Sequence, residues 1–264
     1  LNRPLERLKG AGITGNPGIT KSRAKWSGRN SGTDWRVRLA VPEQSPLYGF
    51  FFNNNDLLAP LKDSSGFFWP LTPSMVIQHS ADYNALEQVH SNYPHYAYQN
   101  SRVDQLNIIG EFPVQNDQDA RYWVAVINFL RTATKMFFGQ EDQYGLKGSP
   151  PPILHLYGYG DHMFHKVPVV LNTFNVELRA GIDYISTKQN TSAINPVYKQ
   201  GGGYEADEFT NLNREVQQTW APTLSNISVL VSPIFSRDDV KTFSMEKFVR
   251  GELNGKGSNE VGFI

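Results

Sequence analysis

The sequence predicts an α+β, mainly β protein: two packed antiparallel sheets with one α-helix on their flank. Three observations carry this. Apolar residues alternate with polar ones in several short runs, the period of half-buried strands. One stretch alone, residues 117–138, places its apolar residues at the period of a helix. The order is strands, one long helix, then strands, which indicates α+β rather than repeated βαβ units.

The first strand begins after Asp34, where Trp35, Val37, Leu39 and Val41 alternate with Arg36, Arg38 and Ala40. Two aromatic blocks, Phe50–Phe52 and Phe67–Trp69, read as strands joined by a long loop. Ser74–His79 and Val103–Phe112 read as further strands, with the aromatic segment Tyr93–Tyr98 between them. In the helix, Trp123, Val126, Ile127, Leu130, Thr134 and Phe137 share one face. Asn116 is its expected N-cap, Asp117 and Asp119 suit the positive end of its dipole, and Gly139 is its expected C′ residue. Strands follow at Ile153–Tyr157, within Val167–Ile185 and at Asn226–Phe235. A short helix capped by Ser244 closes the body at Gly251.

The 264 residues suffice for one sizeable core with an insertion. Residues 1–33 are Gly-rich and poor in apolar side chains, so they read as an extended basic arm. Residues 34–252 form the body, residues 186–219 are a polar insertion within it, and residues 253–264 are a C-terminal tail. No apolar run approaches the length of a membrane-spanning helix, and the first 30 residues lack the form of a secretory signal. There is no cysteine, which excludes disulfides, thiolate metal sites and cysteine nucleophiles.

Formal net charge is zero but unevenly spread. Residues 1–40 hold nine Lys/Arg against Glu6 and Asp34, so the rest of the chain is acidic. Such an arm either binds nucleic acid or lies on the acidic face of a neighbouring copy. Trp26 and Trp35 are its two candidate stacking partners for bases; Arg23, Lys25 and Trp26 are its candidate interface residues.

Residues with chemical potential are few. His155, His162 and His165 lie near Asp161, a set that would suit zinc, although a loop rich in turn residues accounts for them as well. No Gly-x-Ser-x-Gly, phosphate loop or Rossmann glycine pattern is present. Asp238-Asp239 and Glu205/Asp207/Glu208 read as solvated carboxylates. No catalytic residue, cofactor or metal ligand is therefore assigned. The loop after Phe52 is the stronger signal: Leu57, Leu58 and Leu61 gain nothing in water. Either they fold back on the chain's own core, or they dock on another subunit, with Lys62 and Asp63 setting the register at the rim.

Five segments occur in a suggestive order: Gly-Phe-Phe-Trp-Pro-Leu-Thr-Pro at 66–73, Leu-Arg-Thr-Ala-Thr-Lys-Met-Phe-Phe-Gly at 130–139, Pro-Pro-Pro-Ile-Leu-His-Leu-Tyr-Gly-Tyr-Gly at 150–160, and residues 167–185 and 233–252. Together they resemble the tube-initiator proteins of the baseplates of contractile-tailed, T-even-type phages, over about residues 34–252. The resemblance implies the tail-tube fold, a β-sandwich or barrel with a flanking helix. It also implies a homohexameric ring that templates tube polymerisation. Its neighbours would be the major tube protein or a second initiator ring, baseplate hub proteins and the sheath. DNA would pass its lumen without specific binding. The protein would be a virion component assembled in the bacterial cytoplasm, with no membrane partner. A tail-associated hydrolase and a DNA-binding protein working through the basic arm are the competing classes.

Overall fold

The computed structural model describes residues 35–53, 55–139, 147–187, 219–257 and 260–264. The chain is α+β and mainly β, as its patterning predicts. Its strands are apportioned unequally: seven form one antiparallel sheet, and two further sheets have two strands each. The large sheet has the order β2-β1-β7-β8-β11-β6-β3. Its strands are β1 (Arg38–Ala40), β2 (Gly66–Phe68), β3 (Ser74–Val76), β6 (Leu106–Pro113), β7 (Leu154–Gly158), β8 (Phe164–Leu178) and β11 (Leu224–Pro233). The small sheets pair β4 (His79–Leu86) with β5 (His95–Val103), and β9 (Tyr184–Ser186) with β10 (Trp220–Pro222).

The two edge strands of the large sheet, β2 and β3, are neighbours in sequence. Only Trp69–Pro73 separates them. Seven flat strands would put these edges about 29 Å apart. The link from Phe68 to Ser74 spans at most about 23 Å even when fully extended. The sheet is therefore curled toward a barrel, and the link crosses its open side. Trp69 continues the β1 pairing by donating to Val37 O at 3.2 Å. Its indole then lies on Gly110 of β6, where a Cβ would overlap Trp69 Cδ1. Glycine is required at that position because the crossing link approaches so closely.

The inward phase of the strands fills the barrel: Leu39, Leu154, Leu156, Val167, Val169, Ile227, Val229, Leu106, Ile108 and Phe112 are all fully buried. Helix α2 (Asp117–Ala133) plugs it. Asn116 Oδ1 accepts from Asp119 N at 2.8 Å, so the expected cap forms. Tyr122 stacks on Phe112, and its hydroxyl accepts from Phe68 N and donates to Phe68 O. One phenol thus satisfies the outer edge of β2, which would otherwise be open. Trp123 Nε1 donates to Ser225 Oγ on β11 at 2.9 Å.

Two expectations need correction. The helix stops at Ala133, not near residue 138. Phe137 exchanges backbone hydrogen bonds with Gly148 and Ser149, which draws the chain out of the helix before Gly139. The block Phe50–Phe52 is also helical, not a strand: α1 runs Pro46–Phe52, with Ser45 Oγ accepting from Leu47 N and Pro46 opening the first turn. A short apolar run does not distinguish strand from helix by periodicity, and the Ser-Pro start decides it. Two short helices near the C-terminus are α3 (Arg237–Thr242), closed by a Ser236–Asp239 capping box, and α4 (Met245–Val249). Residues 260–264 dock beside them: Gly262 N donates to Lys166 O, and Phe263 stacks on Phe235 at 4.7 Å.

The loop leucines divide. Leu58 and Leu61 are buried in the chain's own core, Leu61 within a 3-10 turn (Ala59–Leu61) packed against α2. Asn55 shapes that turn, donating to Phe51 O and accepting from Leu58 N. These two leucines are therefore not a docking surface for another ring. Leu57 stays 47% exposed, with Lys62 and Asp63 exposed beside the turn. We expect Leu61→Ala to destabilise the chain by about 2–5 kcal/mol, the cost of a core cavity. Leu57→Ala should stay within about 0.5 kcal/mol. Denaturant unfolding of both variants checks this; equal losses would contradict the packing.

Candidate assembly interface

Chain patterning creates an arm. Val76 pairs with Asn107 and His79 with Val103, and Asp104 N donates to Gln78 O between them. Strands β3–β4 and β5–β6 are therefore one long hairpin, bent at residues 77–78 and 104–105. Its proximal half belongs to the barrel. Its distal half, β4–β5, is exposed on both faces along almost its whole length. Alternation from His79 puts Ala81, Tyr83 and Ala85 on one face, opposite Tyr98 and Tyr96. Tyr83 and Tyr98 meet edge to face at 5.7 Å. The other face is polar, with Arg102 contacting Ser80, Asp82 and Asp104. A lone two-stranded ribbon is marginal in water, and this one leaves its tyrosines uncovered.

The far side of the sheet is open too. β7 pairs with β8 only as far as Val169. Beyond it, no strand among the described residues pairs with that side of β8 through Leu178. A bulge at Leu230/Val231 marks the change, and Phe174 and Val176 are then only partly covered. The layer β8–β11–β6–β3, extended by the arm, thus has one open edge at Thr173–Leu178 and another along β3–β4.

The outward face of this layer has a definite chemistry. Across β6, β11 and β8 the rows are Glu111–Asn226–Glu177, Ile109–Ser228–Asn175 and Asn107–Leu230–Thr173. These three rows hold two glutamates and no lysine or arginine. Asn226 Nδ2 donates to Glu177 Oε2 at 3.0 Å, which holds the amide flat across the strands.

The histidines are not gathered into one site. His165 Nδ1 is 3.6 Å from Asp161 Oδ1, and Lys256 Nζ is 3.8 Å from Asp161 Oδ2. His155, on β7, and His165 both pack edge-on against Tyr157, whose ring carries the Arg38 guanidinium at 4.2 Å. His162 packs against Gly251. Among the described residues no group of three or more His, Asp or Glu could hold a metal ion. Asp239 caps α3 and Asp238 pairs with Lys241, so each has a local structural partner. Arg23, Lys25, Trp26 and the insertion carboxylates Glu205, Asp207 and Glu208 lie outside the described residues. Among those described, no helix is long and apolar enough to cross a membrane.

The arm and the open edge of β8 are what reading the sequence missed. The signal for the arm was present: Tyr83, Tyr96 and Tyr98 on alternating strands bounded by turn residues. Nothing in the sequence marks where β7 ends against β8. Compared with known proteins, the chain matches no family model and no curated protein.

Burial holds the His155 imidazole down at about 4, helped by the positive charges of Lys166, Arg38 and His165. Burial also lowers His165, against the pull of Asp161. A depressed histidine binds fewer protons folded than unfolded, so stability rises with pH through this window. It should be complete above about pH 6.5 and fall toward pH 4, with His155 contributing on the order of 3 kcal/mol. His155→Gln should flatten the dependence in thermal unfolding between pH 4 and 7. An unchanged slope would remove His155 as its source.

Proposed function

We propose that the chain is a structural, non-catalytic ring subunit, and that the ring is a tube-initiating layer in the baseplate of a contractile phage tail. The observation that carries the ring is the four-strand layer whose two different edges are unpaired among the described residues. Unpaired edges are a liability unless covered. Joining β3–β4 of one copy to Thr173–Leu178 of the next would pair the open part of β8 with part of the hairpin edge in one contact. Such a contact is heterologous, and it closes into a ring if the rotation allows. The strand directions suit it: β3–β4 is antiparallel to β6, β6 to β11 and β11 to β8, so β4 meets a neighbour's β8 antiparallel.

Six-fold symmetry, the tail and the neighbouring proteins come from the resemblance over residues 34–252. So do the virion location and assembly in the bacterial cytoplasm. The face of Asn, Ser and Thr with Glu111 and Glu177 supports a channel role. A wall without cations does not hold the phosphates of passing DNA. Residues 1–33 would lie on other subunits or on hub proteins, their charge opposing that of the body.

Ala85→Lys places an inward charge on the arm, a change that blocks edge pairing at no cost to the core. The full chain should form rings in electron micrographs. The variant should remain monomeric, with stability unchanged within about 0.5 kcal/mol. A chain that stays monomeric at high concentration, or rings indifferent to Ala85→Lys, would sink the reading.

A second expectation concerns the wall. Asn175→Lys, Ser228→Lys and Glu111→Lys together should leave ring formation intact and make rings retain DNA in a salt-sensitive way. Wild-type rings should not retain it. Equal DNA retention by both would mean this face does not line the channel.

A further inference from the structure

One cation stands on the polar face of the arm. Arg102 is the only Lys or Arg between Ser74 and Asp104. Its side chain leans from β5 across β4: Nε donates to Ser80 Oγ at 3.2 Å, and Nη1 is 3.9 Å from Asp82 Oδ2. Asp104 Oδ1 is 3.4 Å from Nε. Exposed ion pairs of this kind contribute little within one copy. The lean carries the guanidinium toward the unpaired edge of β4. At the open edge of β8, the corresponding charge is Glu177, whose Oε2 accepts from Asn226 Nδ2 at 3.0 Å.

We propose that Arg102 bridges Asp82 of its own copy and Glu177 of the next, and that this triad sets the register of the ring contact with Asp82 opposite Glu177. The inference rests on the edge-to-edge ring and names the residues that align it. Phase narrows the choice first. On β8, Phe174 and Val176 pack toward the core, and Asn175 and Glu177 are exposed on the outward face. On the hairpin, Met75 packs toward the core, and Ile77 and His79 line one cavity beside Phe164. The core-facing phase therefore carries through the bend to Ala81, Tyr83 and Ala85. A slip of one residue would turn Tyr83 onto the polar face, so only registers two residues apart compete.

Length selects among them. With Asp82 opposite Glu177, Ala81–Leu86 lie along Thr173–Leu178 and cover the open stretch. Beyond Leu86 the tip advances about 10 Å before it reverses at Val89–His90. From Thr173 to Val169, where β7 takes the edge, is about 13 Å, so the tip stops short of β7. Advanced by two residues, the arm would have about 7 Å left and would meet Leu154. Withdrawn by two, β4 would end opposite Asn175 and leave Phe174 uncovered. The selected register also sets small against large on the core side, with Ala85 beside Phe174 and Ala81 beside Leu178. On the polar side it faces two carboxylates, which repel unless a cation joins them. Arg102 is already beside Asp82 and supplies that cation. Asp82, Asp104 and Glu177 then enclose the arm's single positive charge, and the polar face stays acidic.

The chain has no cysteine, so introduced pairs report register directly. Three double variants of the full chain share Asn84→Cys and add Asn175→Cys, Thr173→Cys or Glu177→Cys. All four side chains are exposed, so folding is not at stake. Under mild oxidation the Asn175 variant should give a ladder of disulfide-linked oligomers soonest, because the other two pairs sit ~7–8 Å apart on the diagonal. Arg102→Gln should raise the concentration needed for rings by about tenfold at low salt, and adding Glu177→Gln should restore it. Thermal unfolding of the Arg102→Gln monomer should be unchanged, since the contacts it loses are exposed. A faster ladder from the Thr173 or Glu177 variant, or no rescue by Glu177→Gln, overturns the inference and leaves the ring standing. No ladder from any pair in the concentrated chain overturns the ring contact and the inference with it.

Discussion

Five residues, Trp69–Pro73, constrain everything else in this fold. They join the two outermost strands of a seven-stranded sheet, and they are too short to do so unless the sheet curls. Trp69 makes the crossing tight by lying against Gly110, where no side chain intervenes. Curling creates the enclosed space that the inward phase fills with Leu, Val, Ile and Phe. It also creates an open end that a helix must plug. Helix α2 does so with Tyr122, Phe129 and Leu130, and the Tyr122 hydroxyl closes the edge of β2 with two backbone hydrogen bonds.

The same curl explains why the structure is so uneven in its exposure. On the β2 side the edges are finished: β2 is sealed by Tyr122, and β1 and β7 are paired on both sides. On the other side the strands run past the core. β8 continues nine residues beyond its last pairing with β7, and the long hairpin extends past its bend with tyrosines uncovered. Among the described residues one edge is closed by a buried phenol and two long edges stay bare, so those residues by themselves leave the edge problem open. The ring proposal turns these edges into a single repeated contact.

Local chemistry set most element starts. Asn116, Ser236 and Ser45-Pro46 each cap or open a helix through a side-chain oxygen aimed at a backbone N–H. Those signals are short-range and were readable for α2; the short helix after Ser244 also forms, but the Ser244 side chain makes no capping hydrogen bond. For α1 the same kind of signal was overridden in reading by the aromatic run, since Phe50–Phe52 suits a strand as well as a helical turn. The end of α2 was not readable, because it depends on Phe137 pairing with Gly148 and Ser149, eleven and twelve residues later.

The sequence by itself determined the mainly β class, the long helix after Asn116 with its cap, the phase of strands such as Leu106–Phe112 and Ile227–Val231, and the absence of thiol chemistry. Each follows from side-chain periodicity or composition, which are local properties. Tertiary structure alone decided that Leu58 and Leu61 belong to the core while Leu57 does not, that His155 and His165 share Tyr157 while His162 packs against Gly251, and that Asn254 Nδ2 is buried without an acceptor among the described residues. It also decided which edges stay open. Those outcomes depend on strand register and on where β7 stops beside β8. Both are set by the packing of segments more than a hundred residues apart, such as Leu39 on β1 against Leu156 on β7.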